Sequence, residues 1–171
     1  TGSFIDQMAE LLKTDAAGLN DLAAGYHEIY PIAARCGVFA KSDIQPLINE
    51  GAAREDLAAS IFQAVVNQTI SGLACGKPIR GRVAFLGGPL HFLPELRNAF
   101  IRTLHLTEET AVTPADSHLF AARGAAMRAG SKEVPLEQLI DRLAQGVTLT
   151  EGLKRLPPLF ANHEEYRDFL Q

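Results

Sequence analysis

The chain has 171 residues, of which 47% are hydrophobic and 21% charged, and its net charge is −4. This composition predicts a soluble globular domain that needs no disulfide or metal to hold its core. The net charge argues against a nucleic-acid-binding protein, and the short apolar runs argue against a membrane span. The two cysteines, Cys36 and Cys75, predict a reducing compartment, with the cytoplasm as the default.

The first half of the sequence predicts mostly helices. Apolar residues at helical spacing predict helices over 4–12 and 55–74, and a shorter helix is expected within 15–25. Residues 32–39 are expected to be extended or looped. Ser42 and Gln45 have capping-box spacing, which predicts a helix from Ser42 to Asn49.

The second half contains a short apolar run, residues 83–86, that ends at Gly87-Gly88. This run predicts a strand buried on both faces, followed by a tight turn. Weak strand candidates lie within 104–112, and helices are expected near 94–101, 116–129, 136–143 and from 162. We expect one domain over residues 1–130 and a helical connector to a further domain over 131–171. Because the chain begins Thr1-Gly2-Ser3 without an initiator methionine or a signal segment, we expect it to be a piece of a longer protein.

The paired glycines are a candidate binding site. Gly87 and Gly88 lack side chains, so a ligand can approach their backbone closely, and the helix that follows offers free amides. The same arrangement is common as a purely structural turn, and the local pattern leaves both interpretations open.

The cysteines and histidines give a weaker signal. Cys36 lies between Arg35 and Gly37, where a thiolate can ligate iron or react, although a small buried hydrophobic residue is the commoner role. Cys75 ends a long apolar helix and is predicted to be structural. The five histidines show no metal-ligand spacing, and the sequence has neither a nucleophile elbow nor a Walker motif, which argues against a zinc site and a self-contained hydrolase.

Three segments are informative when taken together: in order, residues 1–9 (TGSFIDQMA), 36–44 (CGVFAKSDI) and 86–89 (LGGP). They resemble a known family, the ATP-dependent activators of 2-hydroxyacyl-CoA dehydratases and the related ATPase subunits of benzoyl-CoA reductase. Residues 51–59 resemble the start of the family's long helix, and residues 123–126 resemble its closing Gly-Ala helix. The resemblance covers about residues 1–130, and the Cys-x-Val-Phe-Ala segment is its most specific part.

The resemblance implies a fold and a cofactor set. The fold is mixed and helix-rich α/β, a ribonuclease-H-like lobe of the sugar kinase, chaperone and actin ATPase superfamily, with residues 1–130 as the second, adenosine-side lobe. Family members are homodimers that share one [4Fe-4S] cluster, and their ATP hydrolysis drives an electron onto a CoA-thioester dehydratase or reductase.

The resemblance also assigns residues by position. Cys36 corresponds to a cluster ligand, Thr1 and Gly2 correspond to the end of a phosphate-side glycine loop, and Gly87 and Gly88 line the adenosine side of the nucleotide pocket. The family's asparagine a few residues after the glycines is replaced by Phe92.

The resemblance places the acidic and phosphate-contacting residues in a first lobe that this chain lacks, so the chain is expected to have no catalytic residue and no activity of its own. Two alternatives remain at this point. One is a lobe of a sugar- or acetate-type kinase, which needs no cluster cysteine. The other is a non-catalytic interaction module that retains the fold without nucleotide, an alternative that the replacement at Phe92 supports.

Overall fold

The computed structural model describes residues 2–33, 37–130, 133–145 and 159–170. The chain divides after Arg128 into two compact units. The elements of the first unit are α1 (Gly2–Leu11), α2 (Ala16–Ala23), α3 (Gly37–Asn49), α4 (Arg54–Ala74), β1 (Val83–Ala84), α5 (Gly88–Phe92), α6 (Pro94–Thr103), β2 (Ala111–Val112), a 3₁₀ turn (Ser117–Leu119) and α7 (Phe120–Arg128). The second unit contains α8 (Leu136–Ala144) and α9 (His163–Phe169).

Helix α4 is the central helix of the first unit. Its residues from Asp56 to Phe62 are all buried, and α1, α2 and α6 pack against it. The core around it is built from large apolar side chains of several helices, chiefly Ile5, Met8, Leu19, Ile44, Leu57, Ile61, Phe62 and Leu96. The helix ends at Cys75, which adopts a left-handed conformation with φ 47°. The predicted helix over 55–74 is therefore confirmed.

Within the described residues, α4 is also the one helix that is long and apolar enough to cross a membrane by length and composition. Half of that segment is buried inside the unit. The central helix of a globular protein meets the same criteria, so the expected absence of a membrane span stays a prediction.

Helix α3 differs from the sequence prediction. It begins at Gly37, so residues 37–39 are helical rather than extended, and Ser42 lies inside the helix. The Ser42 hydroxyl donates to the backbone carbonyl of Val38 at 3.1 Å instead of capping an N-terminus. Ala40 and Ile44 are four residues apart and both buried, and this packed face extends the helix in front of the capping pattern.

The sheet consists of two short parallel strands, with Val83 opposite Ala111 and Ala84 opposite Val112. The prediction of a strand buried on both faces is wrong, because Val83 is half-buried and Ala84 is exposed. In the part of the chain that the structure describes, β1 belongs to a sheet of only two strands. Fully buried parallel strands are typical of larger sheets that helices cover on both faces. Phe85, directly after β1, is the residue that enters the core.

Helix α7 is confirmed as a helix, and all of its residues are exposed. In the second unit, Asn162 caps α9 by accepting hydrogen bonds from the backbone N–H groups of Glu164 and Glu165. Helix α8 presents its apolar side chains at helical spacing on an exposed face. That residues 131–171 connect to a further domain stays a prediction.

Candidate functional site

The paired glycines form the turn between β1 and α5. Gly87 has φ 95° and ψ 163°, a combination that residues with a side chain rarely adopt. Gly88 is the first residue of α5. Among the described residues, and apart from the adjacent ones, nothing lies within 4 Å of a Cβ atom placed on either glycine. The backbone of this turn therefore faces open space, which fits the close approach of a ligand.

The turn is held from one side by the 3₁₀ turn. The backbone N–H of Gly87 donates to the carbonyl of Ser117 at 3.0 Å. The Ser117 hydroxyl and Nδ1 of His91 are 2.8 Å apart and share a second hydrogen bond. Ser117 is fully buried, and its two bonds hold the glycine turn against the 3₁₀ turn that follows β2.

Three rings cluster beside this turn. The His91 and His118 ring centroids are 4.1 Å apart, and the Phe92 centroid lies 4.6 Å from that of His91 and 5.3 Å from that of His118. The Phe92 side chain remains 65% exposed. Nδ1 of His118 is buried and has no hydrogen-bond partner in the described structure.

Sequence reasoning missed this cluster, because it treated the histidines as unrelated when they lacked metal-ligand spacing. His91 and Ser117 lie 26 positions apart, and no local pattern connects residues so distant. The one signal available was the aromatic pair His91-Phe92 directly after the glycines.

An apolar cavity of about 290 Å³ lies on the α4 side of the turn. Its lining combines side chains of the turn and α5 with those of α4 and α6, namely Leu86, Pro89, Leu90, Val65, Thr69, Leu96 and Phe100. The Thr69 hydroxyl donates to the Val65 carbonyl at 2.7 Å, so its hydrogen is already used within the helix. The cavity can accept an apolar group but offers few donors to a polar one.

A larger and more open cavity, of about 550 Å³, lies beside the segment from Ile29 to Ala33 and is also lined by Asp43, Gln63, Ala64 and Asn67. Asp43 accepts a hydrogen bond from the backbone N–H of Ala33 at 2.8 Å, which attaches this segment to α3.

Two groups with displaced pKa values lie near the N-terminus of α4. The backbone N–H groups of Glu28 and His27 lower the pKa of Asp56 against the opposing effect of burial. Burial, followed by the negative charges of Glu28 and Asp56, raises the pKa of Tyr30. These shifts result from the attachment of the α2–α3 connection to α4, and neither residue contacts the glycine turn through a described hydrogen bond.

The remaining candidate residues are not brought together. Gly2 is exposed at the start of α1, a helix that packs mainly against α2, α3 and α4. Thr1 and Cys36 lie outside the described residues. Cys75 is exposed, and its thiol donates to the Gly72 carbonyl at 3.2 Å. Among the described residues, no group of three or more histidines, cysteines or carboxylates is arranged to hold a metal ion.

No family model matches the chain. Two curated proteins are similar to it over 88 residues, or 52% of this chain. One is the 2-hydroxyisocaproyl-CoA dehydratase activator of Clostridioides difficile, with 30% identity, and the other is the (R)-2-hydroxyglutaryl-CoA dehydratase activating ATPase of Acidaminococcus fermentans, with 33% identity. The matched segments are 33% and 34% of those proteins, so the chain spans about a third of the length of the curated relatives it matches.

Two solved structures share the fold. Component A of (R)-2-hydroxyglutaryl-CoA dehydratase from Acidaminococcus fermentans matches 75% of this chain and 48% of its own, with a TM-score of 0.66 and 29% identity. The activator of 2-hydroxyisocaproyl-CoA dehydratase from Clostridium difficile, solved with bound ADPNP, matches 78% of this chain and 52% of its own, with a TM-score of 0.60 and 21% identity.

These comparisons confirm the family resemblance found in the sequence: about half of this chain is similar to the dehydratase activators. They also confirm the predicted fold class. The helix-rich first unit with its small parallel sheet has the mixed α/β fold of these actin-like ATPases.

Proposed function

We propose that this homologue of the dehydratase activators is the adenosine-side lobe of a larger, ATP-dependent activator that serves a CoA-thioester dehydratase or reductase. The observation that carries the proposal is the glycine turn at Gly87-Gly88, whose backbone faces open space in a fold shared with activators. Similarity to a curated activating ATPase and to a neighbour with bound ADPNP supports ATP as the nucleotide.

The proposed roles of the glycines differ. Gly87 allows the chain to turn with a positive φ, and its N–H bond to Ser117 holds the turn in place. Gly88 exposes backbone against which the nucleoside can lie, because no side chain of the described residues comes within 4 Å of the place where its Cβ would be, its two chain neighbours aside. Thr1 and Gly2 are proposed to end a loop on the phosphate side, as the family resemblance implies.

The chain is proposed to supply only one wall of the nucleotide site. The matched solved structures are about twice as long as the segment they share with this chain. In the complete protein, ATP would lie between this lobe and another, and closure of the lobes would accompany hydrolysis. The isolated chain is therefore expected to bind ATP weakly and to have no ATPase activity.

The proposal includes a [4Fe-4S] cluster shared between two subunits of a homodimer, which would supply one-electron transfer. Such a cluster is held by four cysteine thiolates. Cys36 is the proposed ligand from this chain, because the family resemblance assigns it to the cluster and because it stands directly before the first residue of α3 in the sequence. Amides at a helix N-terminus favour a negatively charged sulfur in general. Cys75 is not included, since it forms the end of α4 and bonds to Gly72. The expected location is the cytoplasm, and no nucleic-acid or membrane partner is proposed.

The alternatives formed from the sequence, a kinase lobe and a non-catalytic interaction module, are not favoured. Both curated relatives and both solved neighbours are activators or activator components of CoA dehydratases. A complete protein that phosphorylated acetate or a sugar would restore the kinase interpretation.

Calorimetric titration with ATP tests the proposal. The isolated chain should bind with a Kd of about 1 mM or weaker, which corresponds to about 4 kcal/mol or less. The complete protein should bind at least tenfold more tightly and should hydrolyse ATP faster when its dehydratase is present. Micromolar binding by the isolated chain would contradict the one-wall proposal, and a complete protein that binds no ATP would contradict the function itself.

A further inference from the structure

We propose that Phe92 is the platform on which the base of the bound nucleotide stacks, with His118 and His91 supporting the ring from behind. This inference rests on the proposed function, because it concerns the same nucleotide site. It assigns the contact with the base to Phe92, which stands where the family resemblance implies an asparagine.

The position of Phe92 on α5 is the first argument. Helix α5 runs from Gly88 to Phe92, so these two residues are one turn apart and lie on the same face. Side chains on a helix lean toward its N-terminus, which directs Phe92 toward the side of Gly88, and its ring stays more than 4 Å from a Cβ atom placed there, so the space above Gly88 remains open. A nucleoside that lies against the bare backbone of Gly88 would meet this ring.

The ring is exposed but held. Phe92 is 65% exposed, whereas Phe85 and Phe100, the aromatic residues of the nearby core, are almost fully buried. The plane of the Phe92 ring makes an angle of 85° with that of His91 and 52° with that of His118, and both imidazoles pack against it. Because it is so exposed, the Phe92 side chain adds little to the packing of the core, and the exposed part of its ring is available to another flat ring.

The support behind the ring is anchored to the glycine turn itself. The buried Ser117 bonds to His91 through its side chain and to Gly87 through its carbonyl, and His118 follows it directly. The bond to Ser117 holds the His91 imidazole in the same local structure that shapes the turn, and the rings of His118 and Phe92 pack against it. A ring held in position before binding loses little conformational freedom when a base stacks on it.

The unpartnered Nδ1 of His118 is an independent sign of a binding site. Most buried polar atoms in proteins have a hydrogen-bond partner, and an exception calls for an explanation. Nδ1 of His118 is such an exception among the described residues, and the His118 ring lies 5.3 Å from that of Phe92 between centroids. Packing alone therefore does not explain why a histidine stands in this ring cluster.

The experiment compares ATP with tripolyphosphate, a probe that has the phosphates but no base, on the complete protein. The variants are Phe92→Leu, which keeps an apolar side chain but removes the ring, and Phe92→Tyr, which keeps the ring. Phe169→Leu is the matched control, because Phe169 has a similar exposure, 71%, and belongs to the second unit. Thermal unfolding of each variant establishes that it is folded.

Stacking of one base on an aromatic side chain changes affinity by about fivefold or more. Phe92→Leu should therefore weaken ATP by at least about fivefold and leave tripolyphosphate unchanged, while Phe92→Tyr and Phe169→Leu should bind ATP like the unmodified protein. If Phe92→Leu leaves ATP affinity intact, or weakens both probes equally, the stacking role is wrong and the proposed function stands. If the unmodified protein binds neither probe, the proposed function fails and the stacking role fails with it.

Discussion

The carboxylate of Asp56 accepts a hydrogen bond from the backbone N–H of His27, 29 positions earlier in the chain, with 2.6 Å between oxygen and nitrogen. The same oxygen accepts a second bond from the N–H of Glu28 at 2.9 Å. Asp56 is buried in the first turn of α4. Its charge therefore serves two purposes: it complements the helix dipole, and it attaches the connection after α2 to the central helix.

This arrangement predicts how stability depends on pH. The N–H groups of Glu28 and His27 lower the pKa of Asp56 in the folded protein. A carboxyl group of this kind stabilises the fold above its unfolded pKa, about 4, and the stabilisation is lost as the pH falls through the lower, folded value. Asp56→Asn should lower the urea midpoint at neutral pH, and its difference from the unmodified protein should shrink on acidification.

The control for Asp56→Asn is Asp21→Asn, because Asp21 lies on the exposed side of α2 and its removal also changes the net charge by one unit. Urea unfolding should be followed by circular dichroism from about pH 7 to about pH 3. If the urea midpoints of Asp56→Asn and the unmodified protein differ by the same amount at every pH, another group is responsible for the acid sensitivity.

Ser60 is predicted to be a second essential polar residue of α4. Its hydroxyl is fully buried, accepts the backbone N–H of Tyr30 at 2.8 Å and donates to the carbonyl of Asp56 at 2.6 Å. Ser60→Ala would leave the Tyr30 N–H without this partner, at a cost of about 1–3 kcal/mol in the free energy of unfolding. Ser71→Ala, at an exposed position of the same helix, should change it by less than about 0.5 kcal/mol. Equal effects of the two substitutions would contradict the importance of the buried hydrogen bonds.

The sequence predicted α4 well because helical spacing of apolar residues is a local signal that extends over many turns. It gave no sign of the hydrogen bonds that Asp56 accepts, since the partners of this carboxylate lie in a distant segment. The start of α3 was wrong for a related reason: burial of Ala40 and Ile44 decides where the helix begins, and burial depends on the tertiary fold.

The candidate site shows the same division between local and distant signals. Gly87 and Gly88 could be found from the sequence because a strand, two glycines and a helix follow one another directly. Ser117 and His118 could not, because they reach the turn only after the chain has passed through α6 and β2. Residues that support a site from a distant segment carry no spacing that a single sequence reveals.

The role of α4 as a core helix can be tested with two apolar positions. Phe62 is fully buried, whereas Leu73, near the C-terminal end, is 80% exposed. Phe62→Ala should reduce the free energy of unfolding by about 3–5 kcal/mol, because it removes packed apolar atoms and leaves a cavity. Leu73→Ala should have an effect below about 0.5 kcal/mol. A helix that functions inside a membrane would not show this contrast in aqueous unfolding.

Substitution of Gly87 is expected to lower the stability of the fold, whereas substitution of Gly88 is expected to weaken nucleotide binding. Gly87→Ala forces a side chain onto a residue with φ 95° and should destabilise the fold by about 1–3 kcal/mol. Gly88 has open space around it and no positive φ, so Gly88→Val should leave the unfolding midpoint nearly unchanged.

In the complete protein, Gly88→Val should weaken ATP binding by at least tenfold, about 1.4 kcal/mol, because its side chain occupies the space proposed for the nucleoside. Calorimetry on the variant measures this loss, with its thermal midpoint as the control for folding. An unchanged affinity would mean that the turn is structural only.

The last prediction concerns the two cysteines. The proposed cluster needs four thiolates, and Cys36 is the one residue of this chain assigned to it. The purified chain should therefore be colourless. The complete protein, reconstituted with iron and sulfide in the absence of oxygen, should show the brown absorbance of a [4Fe-4S] centre.

Substitution separates the cysteines. Cys36→Ala should abolish the absorbance and the bound iron of the complete protein. In a cluster shared by two subunits, the substitution removes one thiolate from each subunit and therefore two of the four ligands. Cys75→Ala should retain both, since the Cys75 thiol bonds to the Gly72 carbonyl at the end of α4 and has no proposed role in the cluster. Iron measured by a colorimetric assay, together with the visible spectrum, decides between the two. A Cys36→Ala protein with its full iron content would remove Cys36 from the ligand set, and the iron would then have to be held by residues outside this chain.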